Sequence, residues 1–328
     1  MTKIGIIGAG AWGTALAQVL AQAGRDVVLW AREPDVAAAI NERHENPRFL
    51  DSIPLAPSIR ATDSLSQTAG CDFLLLVTPA QYVRPTLSAI KGEIASGKPV
   101  VICAKGIELK TGLLMSQVAE DEAPGATYAI LSGPTFAADI ARGMPSAVTL
   151  SANDRDVLQE IREGIACRTL RPYITDDVIG AQIGGAVKNV VAIACGIVTG
   201  AGLGESARAA LMTRGLAEMS RLATAMGAKK ETLMGMCGVG DLVLTCTSPQ
   251  SRNYSFGIEM GQGKTTTAIL SDRQGVTEGV HTAVALMTMA KQHAVDMPIC
   301  CSVYECVEQG VPVQTVIDNL LDRPLRSN

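Results

Sequence analysis

Four segments carry side chains in settings where their chemistry can be used. Lys188 lies in Gly184-Gly185-Ala186-Val187-Lys188-Asn189, an apolar helix-like run. A charge there is costly to bury unless it is paired. Lysine ordinarily ionises near about 10.4, and desolvation in a cleft moves it towards the range of a general base. The same surroundings also suit a lysine that snorkels to the surface. Asp241, in Gly238-Val239-Gly240-Asp241-Leu242, puts a carboxylate in a glycine-rich segment. Ser251-Arg252-Asn253 offers a guanidinium flanked by short polar donors, a set suited to phosphate. Ordinary turns with N-caps are the alternative for both segments. Glu278, in Gly275-Val276-Thr277-Glu278-Gly279, can reach an amide or a ribose, or can lie in a surface loop.

Near the N-terminus, Gly8-Ala9-Gly10-Ala11-Trp12-Gly13 is a G-x-G-x-x-G that follows a β-branched apolar run and opens a helix-like stretch. In that context Gly8 allows a tight turn, Gly10 a close approach by a pyrophosphate, and Gly13 close helix–strand packing. The pyrophosphate then sits on the free N–H groups of the helix N-terminus. Arg32 follows the next strand, Asp26–Trp30, where an acidic residue commonly holds a ribose 2′-hydroxyl and an arginine accepts a 2′-phosphate. Arg32 therefore favours NADPH or permits it; Glu33 next to it argues the other way.

The elements that must position these groups change character along the chain. Cys71–Val77, Val100–Ala104 and Tyr128–Leu131 are apolar strand-like runs separated by helical segments, and 147–150 and 168–170 extend the series. Such runs imply a sheet covered on both faces, with ligands beyond the strand C-termini. Thr78, Lys105 and Gly133 to Ala137 fall on that rim. From about Val178 onward helix-like runs dominate: 179–199, 207–226, 280–291 and 299–308. The expected fold is α/β: a doubly wound, mainly parallel sheet over residues 1–177, then an all-helical domain over 178–328. Asp177 or its neighbour caps the first helix of the second part.

Composition narrows the function. The 328 residues carry a net charge of −4 and only 3% aromatics, which gives neither a basic footprint for nucleic acid nor platforms for base stacking. Nine cysteines without a C-x-x-C, and three histidines without ligand spacing, argue against a metal site and fit a reducing cytoplasm. The apolar stretch from Ile179 carries Gln182, Lys188 and Asn189 in its middle, so it suits a buried helix better than a membrane insertion. Gly261-Gln262-Gly263-Lys264-Thr265 imitates a P-loop, but Ile258 stands where the first glycine belongs.

In order, GAGAWGTALA (8–17), AKGIE (104–108), LSGPTFA (131–137), GGAVKNVVAIACG (184–196), GVGDLVLTCTS (238–248), SRN (251–253) and EGV (278–280) resemble the bacterial-type NAD(P)-dependent glycerol-3-phosphate dehydrogenases over almost the whole chain. The resemblance implies a Rossmann-like first domain, NADP or NAD as cofactor, and hydride transfer to dihydroxyacetone phosphate to give sn-glycerol 3-phosphate. It implies Lys188 as the proton acceptor and donor. It places Lys105, Gly133, Thr135, Lys188, Asp241, Ser251, Arg252 and Asn253 at the substrate. It places Gly8, Gly10, Ala11, Trp12, Gly13, Arg32, Lys105, Ala137, Arg252, Val276 and Glu278 at the cofactor. Thr135 replaces the serine of many relatives and keeps the hydroxyl; Ala11 replaces a serine and keeps only a backbone contact. Burial of Lys188 disfavours its charge while Asp241 favours it. The resemblance further implies a cytoplasmic homodimer that serves glycerophospholipid synthesis. Rival readings are a related dehydrogenase acting on a 3-hydroxy acid or sugar acid, and a redox-sensing regulator that binds the dinucleotide without turnover.

Overall fold

The computed structural model describes residues 2–273 and 275–324. Two compact units result: Met1–Lys105 with Leu113–Gln182, and Gly106–Gly112 with Ile183–Asn328.

The first unit holds one eight-stranded sheet in the order β3-β2-β1-β4-β5-β6-β7-β8. Its strands are β1 (Lys3–Ile7), β2 (Asp26–Trp30), β3 (Arg60–Thr62), β4 (Phe73–Leu76), β5 (Pro99–Ile102), β6 (Thr127–Ser132), β7 (Ser146–Ser151) and β8 (Leu170–Thr175). The intervening helices are α1 (Ala11–Gln22), α2 (Pro34–Arg43), α3 (Leu65–Ala69), α4 (Val83–Ile90), α5 (Met115–Glu122), α6 (Ala137–Ala141) and α7 (Arg155–Ile165). β4 and β5 are buried along their whole length, as continuous apolar runs in a covered parallel sheet must be. β1 to β6 run parallel; β7 lies antiparallel to β6 and parallel to β8. A parallel return needs a substantial crossover. Only the short α6 lies between β6 and β7, whereas the longer α7 joins β7 to β8. Consecutive strands leave β1 in opposite directions, towards β2 on one side and β4 on the other, which makes the C-terminal end of β1 a topological switch point.

β8 begins where the sequence suggested a strand at 168–170 would end, and runs on through Arg171, Pro172 and Tyr173. It is an edge strand, and a proline that cannot donate is tolerated there and blunts the edge.

α8 (Val178–Gly200) starts in the first unit and continues into the second. Asp177 precedes it, and its Oδ1 accepts from Gly180 N–H at 2.8 Å. Then follow α9 (Glu205–Ala225), α10 (Lys230–Leu233), α11 (Asp241–Thr247), α12 (Arg252–Gly261), α13 (Thr266–Ser271), α14 (Glu278–Gln292), α15 (Pro298–Val307) and α16 (Val313–Leu321). α8 is long and apolar enough to cross a membrane, yet 89% of its most apolar window is buried within the fold, the placement of a core helix. It meets α12 backbone to backbone. A Cβ on Gly196 or Gly200 would strike the carbonyl oxygens of Tyr254 or Ile258, and a Cβ on Gly257 or Gly261 those of Ile193 or Ile197. Above this contact Tyr254 Oη bonds Thr199 Oγ1 and accepts from Arg208, both at 2.9 Å.

Glu218 on α9 is 2% exposed and accepts the N–H groups of Ile299 (2.8 Å) and Cys300 (3.1 Å), capping α15 across the unit. Burial pushes its carboxyl upward, against those hydrogen bonds. An acid whose folded-state pKa lies above its unfolded value stabilises the fold while protonated, and loses that contribution as pH rises from the unfolded to the folded value. Glu218→Gln is therefore expected to lose less stability than the wild type as pH rises from about 4.3 upward. Thermal unfolding of both proteins between acid and neutral pH checks this; parallel curves would sink it.

Candidate active site

The first unit gathers its candidate residues at the C-terminal rim of the parallel strands. A Cβ on Gly13 would lie 1.8 Å from Gly8 O, so only glycine lets α1 start this close to the turn. Around Gly10 nothing stands within 4 Å of a Cβ position, leaving the space beside the turn open. The first turn of α1, which begins with Ala11 and Trp12, has neither a side-chain cap nor an acidic residue. Its orphan N–H groups and positive dipole end therefore remain available to an anion. Thr78 Oγ1, buried just beyond β4, has no hydrogen-bond partner among the described residues. An open glycine turn, uncapped helix donors and an orphaned hydroxyl on one rim fit a dinucleotide.

Further along the rim, Lys105 Nζ donates to Gly133 O at 2.9 Å, which fixes the ammonium beside the end of β6. Thr135 Oγ1 stands 3.5 Å from the same carbonyl. Ala137 is the half-buried first residue of α6. Arg32 follows β2 and pairs with Glu33 at 2.7 Å.

The second unit builds a tighter constellation. Lys188 Nζ donates to Asp241 Oδ1 at 2.5 Å and to Thr245 Oγ1 at 2.7 Å. The side chains of Lys188 and Asp241 are 9% and 1% exposed. The local sequence explains how they meet. Gly184 on α8 faces the backbone before α11: a Cβ there would lie 2.3 Å from Cys237 O. That contact seats the 236–240 turn against α8, so Asp241 enters α11 facing Lys188. Thr245 Oγ1 donates back to Asp241 O at 2.6 Å. Such a buried lysine, paired with a carboxylate and aligned by a hydroxyl, can hold a proton and give it up.

Ser251, Arg252 and Asn253 do different things. Ser251 Oγ caps α12 by accepting Tyr254 N–H at 3.2 Å. Asn253 donates to Asn189 Oδ1 and accepts from Gly279 N–H, both at 2.9 Å, tying α12 to α8 and to α14. Arg252 is exposed, and its guanidinium makes no hydrogen bond among the described residues. It passes Gly275, where a Cβ would come within 2.6 Å of its Nη1. Surrounding protein and the neighbouring Arg273 lower its pKa, while Glu278 opposes them. Arg273 in turn donates to Arg252 O (2.8 Å) and Ser255 Oγ (3.1 Å) and pairs with Glu259, bracing the start of α12. A cation with unused donors beside the first turn of a helix suits a phosphate. Val276 lies two residues before α14, and Glu278, which opens it, acts electrostatically on Arg252.

Sequence reasoning singled out neither Thr245, Asn189 nor Arg273. Thr245 had a usable signal, since four residues after Asp241 it shares that residue's helix face. Asn189 and Arg273 act through partners that only the folded chain brings near. Among the described residues no group of three or more His, Cys, Asp or Glu is placed to hold a metal ion. A cavity of about 350 Å³, lined by Lys291, Asp296, Cys301, Glu305 and Arg323 among others, includes none of the candidate residues.

The family model described as NAD-dependent glycerol-3-phosphate dehydrogenase N-terminus matches residues 3–158, and its C-terminus counterpart matches residues 177–318. The chain is similar to the glycerol-3-phosphate dehydrogenase (NAD(P)+) of Parvibaculum lavamentivorans, 54% identical over 325 residues that cover 99% of this chain and 98% of that one. The protein of the same name from Caulobacter vibrioides is 52% identical over 324 residues, with coverage of 99% and 98%. Among solved structures, the glycerol-3-phosphate dehydrogenase of Coxiella burnetii superposes with a TM-score of 0.94 at 36% identity, covering 98% of this chain and 99% of that one.

Proposed function

Because this chain belongs to the NAD-dependent glycerol-3-phosphate dehydrogenase family, we propose that Lys188, held by Asp241 and Thr245, moves the proton of its reaction. The enzyme reversibly reduces dihydroxyacetone phosphate to sn-glycerol 3-phosphate with NADH or NADPH. The dinucleotide, when bound, supplies the hydride for the substrate C2 or takes it back.

The observation that carries the reading is the buried Lys188–Asp241–Thr245 unit. In reduction, Lys188 Nζ gives a proton to the oxygen developing charge at C2. Asp241 keeps the ammonium charged beforehand, and Thr245 fixes its direction. In oxidation the same nitrogen, neutral, accepts the proton. Arg252 and the N–H groups opening α12 take the substrate phosphate, with Ser251 and Asn253 shaping that turn. Lys105, Gly133 and Thr135 complete the substrate contacts. Gly8, Gly10, Ala11, Trp12 and Gly13 cradle the pyrophosphate; Arg32, Lys105, Ala137, Arg252, Val276 and Glu278 serve the rest of the dinucleotide. We divide the functions at the α8 cap, with 1–177 for the dinucleotide and 178–328 for the substrate. The resemblance supports a cytoplasmic homodimer, and the product is the backbone of glycerophospholipids.

The experiment is the oxidation of NADPH and NADH, followed by absorbance, with dihydroxyacetone phosphate and with dihydroxyacetone, beside the oxidation of a 3-hydroxy acid. Turnover that depends on the phosphate is expected. Cofactor binding with no turnover on any of these substrates would overturn the proton-transfer assignment.

A further inference from the structure

Arg32 and Glu33 form a charged pair beside the glycine turn. Ile7 of β1 pairs with Trp30 of β2, and Gly8 N–H donates to Trp30 O at 3.2 Å. A dinucleotide whose pyrophosphate lies on α1 brings its adenosine ribose to this strand end. Arg32 Nε and Nη2 both donate to Glu33 Oε1, at 3.2 and 2.7 Å. Glu33 Oε2 and Arg32 Nη1 make no hydrogen bond among the described residues. The Glu33 side chain is 18% exposed and that of Arg32 67%, so the carboxylate is seated and the guanidinium stands outward. Glu33 occupies the N-cap position of α2 without bonding that helix through its side chain. Its carboxylate is therefore not committed to the fold.

A free 2′-hydroxyl is a donor and matches a carboxylate; a 2′-phosphate is an anion and matches a guanidinium fork. Here both matches are present and each occupies the other. An exposed pair of this kind contributes little to stability and opens easily. The geometry points to Glu33 as the residue that sets the choice between NADH and NADPH. It accepts the 2′-hydroxyl of the first, and it resists the 2′-phosphate of the second by its charge and by occupying Arg32. Dual cofactor use is thus a balance between adjacent side chains. This inference rests on the reading of Gly8 to Gly13 as the dinucleotide cradle.

The test is calorimetric. Dissociation constants for NADH, NADPH, AMP and adenosine 2′,5′-bisphosphate are measured for the wild type, Glu33→Gln, Arg32→Ala and the double variant. The ratio Kd(NADH)/Kd(NADPH) is expected to rise about tenfold in Glu33→Gln and to fall about tenfold in Arg32→Ala, the size of one charge-assisted hydrogen bond. The nucleotide fragments, which lack nicotinamide, should show the same shifts, and the double variant should fall between the single ones. If Glu33→Gln leaves the ratio unchanged while both dinucleotides still bind, Glu33 is not the discriminator and the cradle reading survives. If the wild type binds neither dinucleotide, the cradle reading fails and this inference with it.

Discussion

Lys188→Ala is expected to lower kcat for the reduction of dihydroxyacetone phosphate by about a thousandfold, within the range of a lost general acid, while NADPH still binds. Alanine cannot deliver a proton to the C2 oxygen, and Thr245 is too weak an acid to replace the ammonium. The substitution also removes the cation paired with Asp241, 1% exposed, and losing one partner of a buried ion pair destabilises a fold by about 3–5 kcal/mol. Lys188→Ala combined with Asp241→Asn removes that penalty without restoring the acid. Retained NADPH affinity in both proteins, together with lost turnover in both, assigns the loss to chemistry. Normal turnover in either would remove Lys188 from the mechanism.

Arg252→Ala should lower kcat/KM for dihydroxyacetone phosphate by about 10²–10³-fold, the expectation for losing charge-assisted hydrogen bonds to one phosphate. The same variant should treat unphosphorylated dihydroxyacetone much as the wild type does, since that substrate never engaged the guanidinium. Steady-state kinetics with the paired substrates separates the roles proposed for Arg252. A loss confined to the phosphorylated ketone marks a phosphate anchor. An equal loss on both, with a raised KM for NADPH, would make Arg252 a cofactor residue and refute the anchor.

Most of the first unit is legible in the sequence because its signals are local. Apolar runs such as Phe73–Leu76 read as covered strands, and Gly8 to Gly13 sits between strand and helix as the turn requires. Asp177 reads as a cap and is one. β8 was partly missed because an edge strand exposes one side, so Arg171 and Pro172 interrupt the pattern that marks interior strands. In the second unit Lys188 and Asp241 are each conspicuous, but their pairing spans 53 residues and depends on Gly184 admitting the backbone of Cys237. Asn253 was expected at the substrate. The structure engages its side chain with Asn189 and Gly279, a pattern that no spacing rule encodes.

The interlocked glycines of α8 and α12 carry one more consequence. Lys188 and Arg252 belong to these helices, and carbonyl oxygens lie where any Cβ at Gly196, Gly200, Gly257 or Gly261 would go. A side chain at any of these four positions would push the helices apart, so their close contact sets the separation between the proton donor and the phosphate anchor proposed for them. On that proposal, a ketone one carbon longer between its carbonyl and its phosphate is expected to show a lower kcat/KM than dihydroxyacetone phosphate in steady-state assays.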